Sequence, residues 1–218
     1  MNHSYLIGID IGTSACKVAL FDRSGCVLAA ANGDYPVYYP KEGWAEQNPE
    51  EWWSAVCGAV RQVIEEASVA PEEIAGVGID GQSWSAIAID RNGHVLTNTP
   101  IWMDTRAQSV CDRLNEEIGA EAIFEVAGNS LQPSYTTAKI LWYKENLPEV
   151  YAKTDKILSQ QLMLLSLQER KSRISLRVTD FTALICVQAS GMRLCVKSWG
   201  SLWNFCRKSF PVTMLWEQ

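Results

Sequence analysis

The segment Gly8-Ile9-Asp10-Ile11-Gly12-Thr13-Ser14-Ala15-Cys16-Lys17 concentrates the groups that handle a polyphosphate. Asp10 offers a carboxylate to a hard cation, Thr13 and Ser14 offer hydroxyls, and Lys17 offers a compact positive charge. Gly12 has no side chain, so the backbone amides beside it can approach an anion closely. Together these are the parts that hold a nucleotide's phosphates and their magnesium. The common P-loop is a different device, because it needs a second glycine followed by Lys-Ser/Thr and a helix.

The elements that must position these groups read as strands. Tyr5-Leu6-Ile7-Gly8-Ile9 and Val18-Ala19-Leu20-Phe21 are apolar runs flanking the turn and predict a hairpin. Asp22-Arg23-Ser24-Gly25 then turns the chain into a third strand, Cys26-Val27-Leu28-Ala29-Ala30. Asn48 suits a helix N-cap, Pro49 the first helical position, and Glu50 and Glu51 complement the dipole. Trp52, Val56, Val60 and Val63 give that helix a buried stripe. Ile74–Asp80 predicts a strand running into Gly81-Gln82-Ser83-Trp84-Ser85, and Ala86–Asp90 another that turns at Arg91-Asn92-Gly93 into His94-Val95-Leu96. Ile101-Trp102-Met103-Asp104-Thr105-Arg106 leads into a polar helix from Ala107 to Ile118. Strands alternating with helices predict an α/β domain with a mixed sheet flanked by helices.

Composition narrows the function classes. A formal charge of −6 argues against nucleic-acid binding. No apolar run reaches the roughly 18 residues that span a bilayer, and no charged-then-apolar leader precedes the first strand, so a cytoplasmic protein without a membrane partner is expected. Seven scattered cysteines and two histidines support neither a disulfide framework nor a zinc site. Charge is unevenly spread: residues 1–160 carry 22 acidic and 11 basic side chains, residues 161–218 carry 3 and 8. Two different texts join near Leu158.

Five motifs in order, Asp10-x-Gly12-Thr13-x-x-x-Lys17, Trp44-x-Glu46-Gln47-x-Pro49-x-x-Trp52-Trp53, Gly78-Ile79-x-Gly81-Gln82, Trp102-x-Asp104-x-Arg106 and Lys139-x-Leu141-Trp142, resemble the FGGY carbohydrate kinases, and among them the xylulokinases. The likeness covers about residues 5–158. It implies an RNase H-like domain of the actin, Hsp70 and sugar-kinase superfamily, and ATP-dependent phosphoryl transfer to a sugar hydroxyl in a cleft between two such domains. By resemblance, Asp10 sits near Mg2+, while Gly12, Thr13, Ser14 and Lys17 bind the ATP phosphates. Gln82, Ser83 and Trp84 fall at the sugar-contacting tip, with Trp102, Asp104 and Arg106 on the opposite wall. Carboxylate and amide groups suit hydroxyl recognition, and an indole face suits the apolar side of a sugar. Tyr135 and Lys139 are expected as packing and solvated face. Xylulokinases usually carry Gln-Met-His where this chain has Gln82-Ser83-Trp84, so glycerol, ribulose or gluconate stand as alternative substrates. A chaperone-like ATPase or an exopolyphosphatase would share Asp10 to Lys17, but not Gly81-Gln82 or Trp102-x-Asp104-x-Arg106. Sugar and ATP are the expected partners, with a homodimer left open.

Past Leu158 the family pattern stops, which divides the chain into 1–158, an incomplete kinase domain, and 159–218, a tail. Back-translating 178–218 with each codon begun one nucleotide earlier yields, with synonymous codons, a family-like string containing Leu-Pro-Glu-Val. In the shifted frame each second base is the first base of an existing codon, so the hydrophobic pattern is not free to choose. A frameshift between about Leu158 and Val178 is expected. The family's catalytic aspartate would then lie beyond the chain, leaving a sugar-binding piece without turnover of its own.

Overall fold

The computed structural model describes residues 4–160 and Met163. β1 (Tyr5–Ile11) and β2 (Ala15–Phe21) pair antiparallel, and β3 (Val27–Asp34) adds to β2. These strands run further than the apolar text implies. Register pairs Asp10 with Lys17 and Ala15 with Asp34, so the ladder continues through polar residues to the edge of the turn. The carboxylate and the lysine therefore stand on regular strand, not on a mobile loop.

β4 (Glu46–Gln47) leads into α1 (Pro49–Glu66), whose entry follows from local chemistry. The Asn48 side chain accepts from the Glu50 N–H at 3.0 Å, satisfying one of the orphan donors of the first turn. Trp52, Val56, Ala59 and Val63 bury one face of α1 against the sheet, each large side chain contributing about 1.5–3 kcal/mol. Ala59 takes the central place expected for Val60, which is half-buried beside it. Helix and sheet come close enough that a Cβ on Gly33 would lie 2.8 Å from the Ala55 carbonyl oxygen.

α1 returns the chain to β5 (Ile74–Gly81), parallel to β1, giving the order β3-β2-β1-β5. Ile7, Ile9 and Ile11 face α1, while Leu6, Gly8 and Asp10 point to the other side of the sheet. Beyond β5 lie β6 (Ile87–Ile89), β7 (Thr99–Pro100) and the helices α2 (Gln108–Ile118), α3 (Ala120–Ala127), α4 (Thr136–Asn146) and α5 (Pro148–Lys153), closed by β8 (Lys156–Leu158). β4 pairs with β7 and β6 with β8, both antiparallel. The Asp90–Gly93 turn forms, with the Gly93 N–H on the Asp90 carbonyl at 2.8 Å and Gly93 at φ 72°. Its return is a single bridge from Ile89 to Val95, because β6 finds its lasting partner in β8.

A second cluster, with Val110 and Cys111 of α2 and Ala138, Ile140, Trp142 and Tyr143 of α4, packs under residues 84–107. Met163 is buried in the first cluster, against the sheet. The other expectations for residues 161–218 lie outside the described residues. No helix among the described residues is long and apolar enough to cross a membrane.

Candidate active site

Between β1 and β2, residues 12–14 make the turn, and every carbonyl in it is taken from behind. The Tyr35 hydroxyl donates to the Gly12 carbonyl at 2.7 Å, Gln47 Nε2 donates to that of Thr13 at 2.8 Å, and the Tyr35 N–H donates to that of Ser14 at 3.2 Å. Burial pushes the Tyr35 phenol above its ordinary range, so the donor stays protonated. The Gly12 N–H closes on Ala15, and those of Thr13 and Ser14 are uncommitted among the described residues. A turn with its carbonyls held back and its amides and hydroxyls forward is an anion cradle.

Asp10, Ser14 and Lys17 are exposed beside this cradle. Asp10 is in register with Lys17 on one side and Asp80 on the other, so a cation and two carboxylates cross the sheet on one face. Asp80 Oδ1 accepts from the Gly81 N–H at 2.8 Å. Among the described residues no group of three or more His, Cys, Asp or Glu side chains could cage a metal. One carboxylate with nearby hydroxyls still fits magnesium, which keeps its waters and relies on substrate phosphates for further oxygens.

Facing the turn is an aromatic surface. Trp84 and Trp102 are 47 % and 44 % exposed, unusual for indoles and too much for core residues. Trp84 leans on Tyr135, ring centroids 4.9 Å apart, and adopts φ 65°, a left-handed backbone that costs a non-glycine residue about 1–3 kcal/mol. α4 supports that strain: Thr136 Oγ1, Lys139 Nζ and the Tyr143 hydroxyl donate to the carbonyls of Ser85, Trp84 and Ala86 at 3.4, 2.8 and 3.0 Å. Trp102 Nε1 donates to Thr13 Oγ1 at 3.0 Å, joining the aromatic surface directly to the phosphate turn. Ser83 is exposed and Gln82 half-buried, with Gln82 Nε2 donating to Gln47 Oε1 at 2.8 Å.

Asp104 and Arg106 are placed differently from the expectation that they meet a sugar. Asp104 is fully buried, its carboxylate accepting from the Ala45 N–H at 2.7 Å and from the Arg106 N–H and Nε at 3.0 and 2.9 Å. Arg106 Nη2 also donates to Glu46 at 2.8 Å, and the guanidinium stacks over the Trp44 ring at 3.8 Å and the Trp142 ring at 5.2 Å. With their polar atoms committed in a sealed space, these side chains brace the aromatic surface from beneath. The physical reason is the half-buried Glu46, whose second charge draws Arg106 inward.

Lys139 also departs from expectation: it is fully buried, and its Nζ donates to the Trp84 and Ile101 carbonyls, both at 2.8 Å. Burial pushes its ammonium down to about 7; Asp104 opposes the shift and Arg106 adds to it. Sequence reasoning missed this brace and the buried Gln47. The available signal was a lysine within the same helical face as Thr136 and Tyr143.

The structure thus sets Asp10, Gly12, Thr13, Ser14 and Lys17 on the β1–β2 hairpin, bonds Trp102 to Thr13 and the Gln82 N–H to the Ile11 carbonyl, and joins Trp84 to Ile101 through Lys139. The family described as "FGGY family of carbohydrate kinases, N-terminal domain" matches residues 5–183. The xylulose kinase of Bacillus subtilis is 35 % identical over 150 residues, 69 % of this chain and 30 % of that protein. The glycerol kinase of Leifsonia xyli is 33 % identical over 153 residues, again 70 % of this chain and 30 % of the relative. Among solved structures, a xyloylose kinase from Brucella ovis superposes with a TM-score of 0.67 at 30 % identity, covering 74 % of this chain and 33 % of that one. A ligand-bound xylulose kinase from Lactobacillus acidophilus gives 0.69 at 27 %, covering 74 % and 32 %. These neighbours share the RNase H-like fold of the actin and Hsp70 superfamily. The chain spans about a third of the length of the relatives it matches. It belongs to the FGGY family of carbohydrate kinases, as that family's N-terminal domain.

Proposed function

We propose that this chain supplies the N-terminal side of the cleft of an ATP-dependent sugar kinase, acting in the cytoplasm on a pentulose such as xylulose. The observation that carries the reading is the 3.0 Å bond from Trp102 to Thr13, which sets an exposed indole wall against an anion cradle. Transfer of a phosphoryl group to a sugar demands that adjacency, because catalysis there is mainly positioning and charge neutralisation. Thr13, Ser14 and Lys17 would face the β- and γ-phosphates and Asp10 would hold Mg2+, which when bound neutralises phosphate charge. Gln82 and Ser83 offer polar atoms to hydroxyls, and Trp84 and Trp102 offer ring faces to the carbon skeleton.

Relatives named xylulose kinase support a pentulose, while the glycerol kinases of similar identity and the Gln82-Ser83-Trp84 tip keep glycerol, ribulose and gluconate as the second reading. For the described residues we infer binding of the sugar and of the nucleotide phosphates; the family's proton acceptor is not assigned to any of them. For the text past Leu158 the shifted reading frame remains our explanation. Sequencing the coding DNA tests it, and the absence of any frame encoding the Leu-Pro-Glu-Val string rejects it. The sugar reading is tested by thermal unfolding of the chain with D-xylulose, D-ribulose, glycerol and D-gluconate. A ligand at about 100 times its Kd stabilises by about 2.7 kcal/mol, so one of the four should raise the midpoint by several degrees. No rise with any of them at tens of millimolar rejects the sugar wall.

A further inference from the structure

Gln47 touches both halves of this site. It is fully buried at the end of β4, immediately before the Asn48 cap of α1. Its carboxamide is engaged at both ends. Nε2 donates to the Thr13 carbonyl at 2.8 Å and to the Pro36 carbonyl at 3.1 Å, while Oε1 accepts from Gln82 Nε2 at 2.8 Å. A planar amide cannot rotate to follow one partner without straining its bonds to the others. Gln82 lies at the sugar tip, and Thr13 is the middle of the phosphate turn. Thr13 is gripped a second time from the sugar side, because Trp102 donates to its hydroxyl.

Gln82 Oε1 is buried and has no hydrogen-bond partner among the described residues. An unpaired acceptor sealed in the fold is unfavourable, and a sugar hydroxyl would meet it only where the exposed Ser83–Trp84 tip shifts to admit one. Gln82 then polarises toward its own Nε2, which tightens the bond to Gln47 and through it the hold on the Thr13 carbonyl.

We propose that Gln47 is a positioning residue that couples sugar occupancy to the order of the phosphate turn, so that a sugar at Gln82 pre-forms the cradle for the nucleotide phosphates. This rests on the sugar-kinase reading and deepens it. Coupling between two sites is reciprocal, so polyphosphate at the turn strengthens sugar binding by the same factor.

The test is amide hydrogen exchange of the 218-residue chain, with D-xylulose, glycerol and D-gluconate as probes and direct calorimetry recording whether each binds. Where a probe binds, exchange across residues 12–17 should slow by about 5-fold or more, the low end of the usual range for coupled sites. In Gln47→Glu the acceptor for Gln82 is kept and both donors are lost. That variant should still bind the probe, with the turn now indifferent to it. Gln47→Met, of similar volume, should behave likewise and covers the case in which a buried carboxylate prevents folding. Sugar binding to the wild-type chain without slower exchange at the turn overturns the coupling alone. Equal protection in wild type and a folded Gln47 variant also overturns it. Binding of no probe at all removes the sugar reading, and the coupling with it.

Discussion

In the phosphate turn the side chains that would meet a ligand, Asp10, Ser14 and Lys17, are exposed, and only the backbone behind them is pinned. Beneath the aromatic wall the arrangement is reversed. Asp104 and Lys139 are buried and the Arg106 side chain is nearly so, with their polar atoms committed to one another, to Glu46 and to backbone groups, while the indoles above stay exposed. Motif residues thus do two jobs in one site. Those on the turn are exposed with their side chains uncommitted to the core, whereas those under the wall are committed to holding the fold in shape.

The largest effect that would sharpen this contrast is at Asp104. Asp104→Ala strips Arg106 of one partner and leaves the buried Ala45 N–H unpaired, so about 3–5 kcal/mol of stability should be lost in urea denaturation. A loss below about 0.5 kcal/mol would put Asp104 among the surface residues and end the distinction. A smaller loss is expected where α1 meets the sheet that carries the turn. Gly33→Ala pushes a methyl into Ala55 backbone and should cost about 1–3 kcal/mol, read from the same denaturation curves. An unchanged midpoint would mean α1 can back away freely.

Lys139 gives a signal that only a change of pH reveals. Its pKa falls to about 7 in the folded chain from 10.5, so between those values the unfolded state binds more protons. Stability from this group therefore rises with pH from about 7 towards 10.5, by at most about 1.4 kcal/mol per pH unit. The neutral amine still has two N–H donors for the two carbonyls it serves. Relative to Lys139→Met, wild type should gain stability as pH is raised from 7 to 10. A gap that is flat or narrows would show that the lysine stays charged in its burial.

How much of this was legible beforehand follows the range of the interactions. The hairpin, the Asn48 cap and the stripe of α1 rest on neighbours within a few residues, and strand alternation and cap chemistry reveal them. The ends of β1 to β3 were read short because cross-strand pairing extends strands through residues that are polar, such as Asp10 and Asp34. Motif order places Trp84 at the sugar tip and Trp102 on the opposite wall. Their exposure depends on α4 holding the Trp84–Ala86 backbone from more than fifty residues away, as the Lys139–Trp84 bond does across 55 positions. Asp104-x-Arg106 reads in sequence as a ligand pair or as a solvated pair opening a helix, and burial is visible in neither reading. The deciding partner, Glu46, is 60 residues from Arg106 and belongs to a different motif. Gln47 carried no sign in sequence of its three bonds, since each joins it to a separate segment.

The claim that the turn is a phosphate cradle, free to bind because it is not needed for folding, is tested most directly by unfolding wild type and Lys17→Ala with and without magnesium tripolyphosphate. Lys17 is exposed and makes no ion pair among the described residues. In buffer the two proteins should unfold within about 0.5 kcal/mol of each other. Added magnesium tripolyphosphate should stabilise wild type, and Lys17→Ala should need about 10-fold more ligand for the same shift, since a hydrogen bond to a charged group is worth about 1.5–3 kcal/mol. A variant already destabilised in buffer, or one stabilised by the ligand as readily as wild type, would contradict the account.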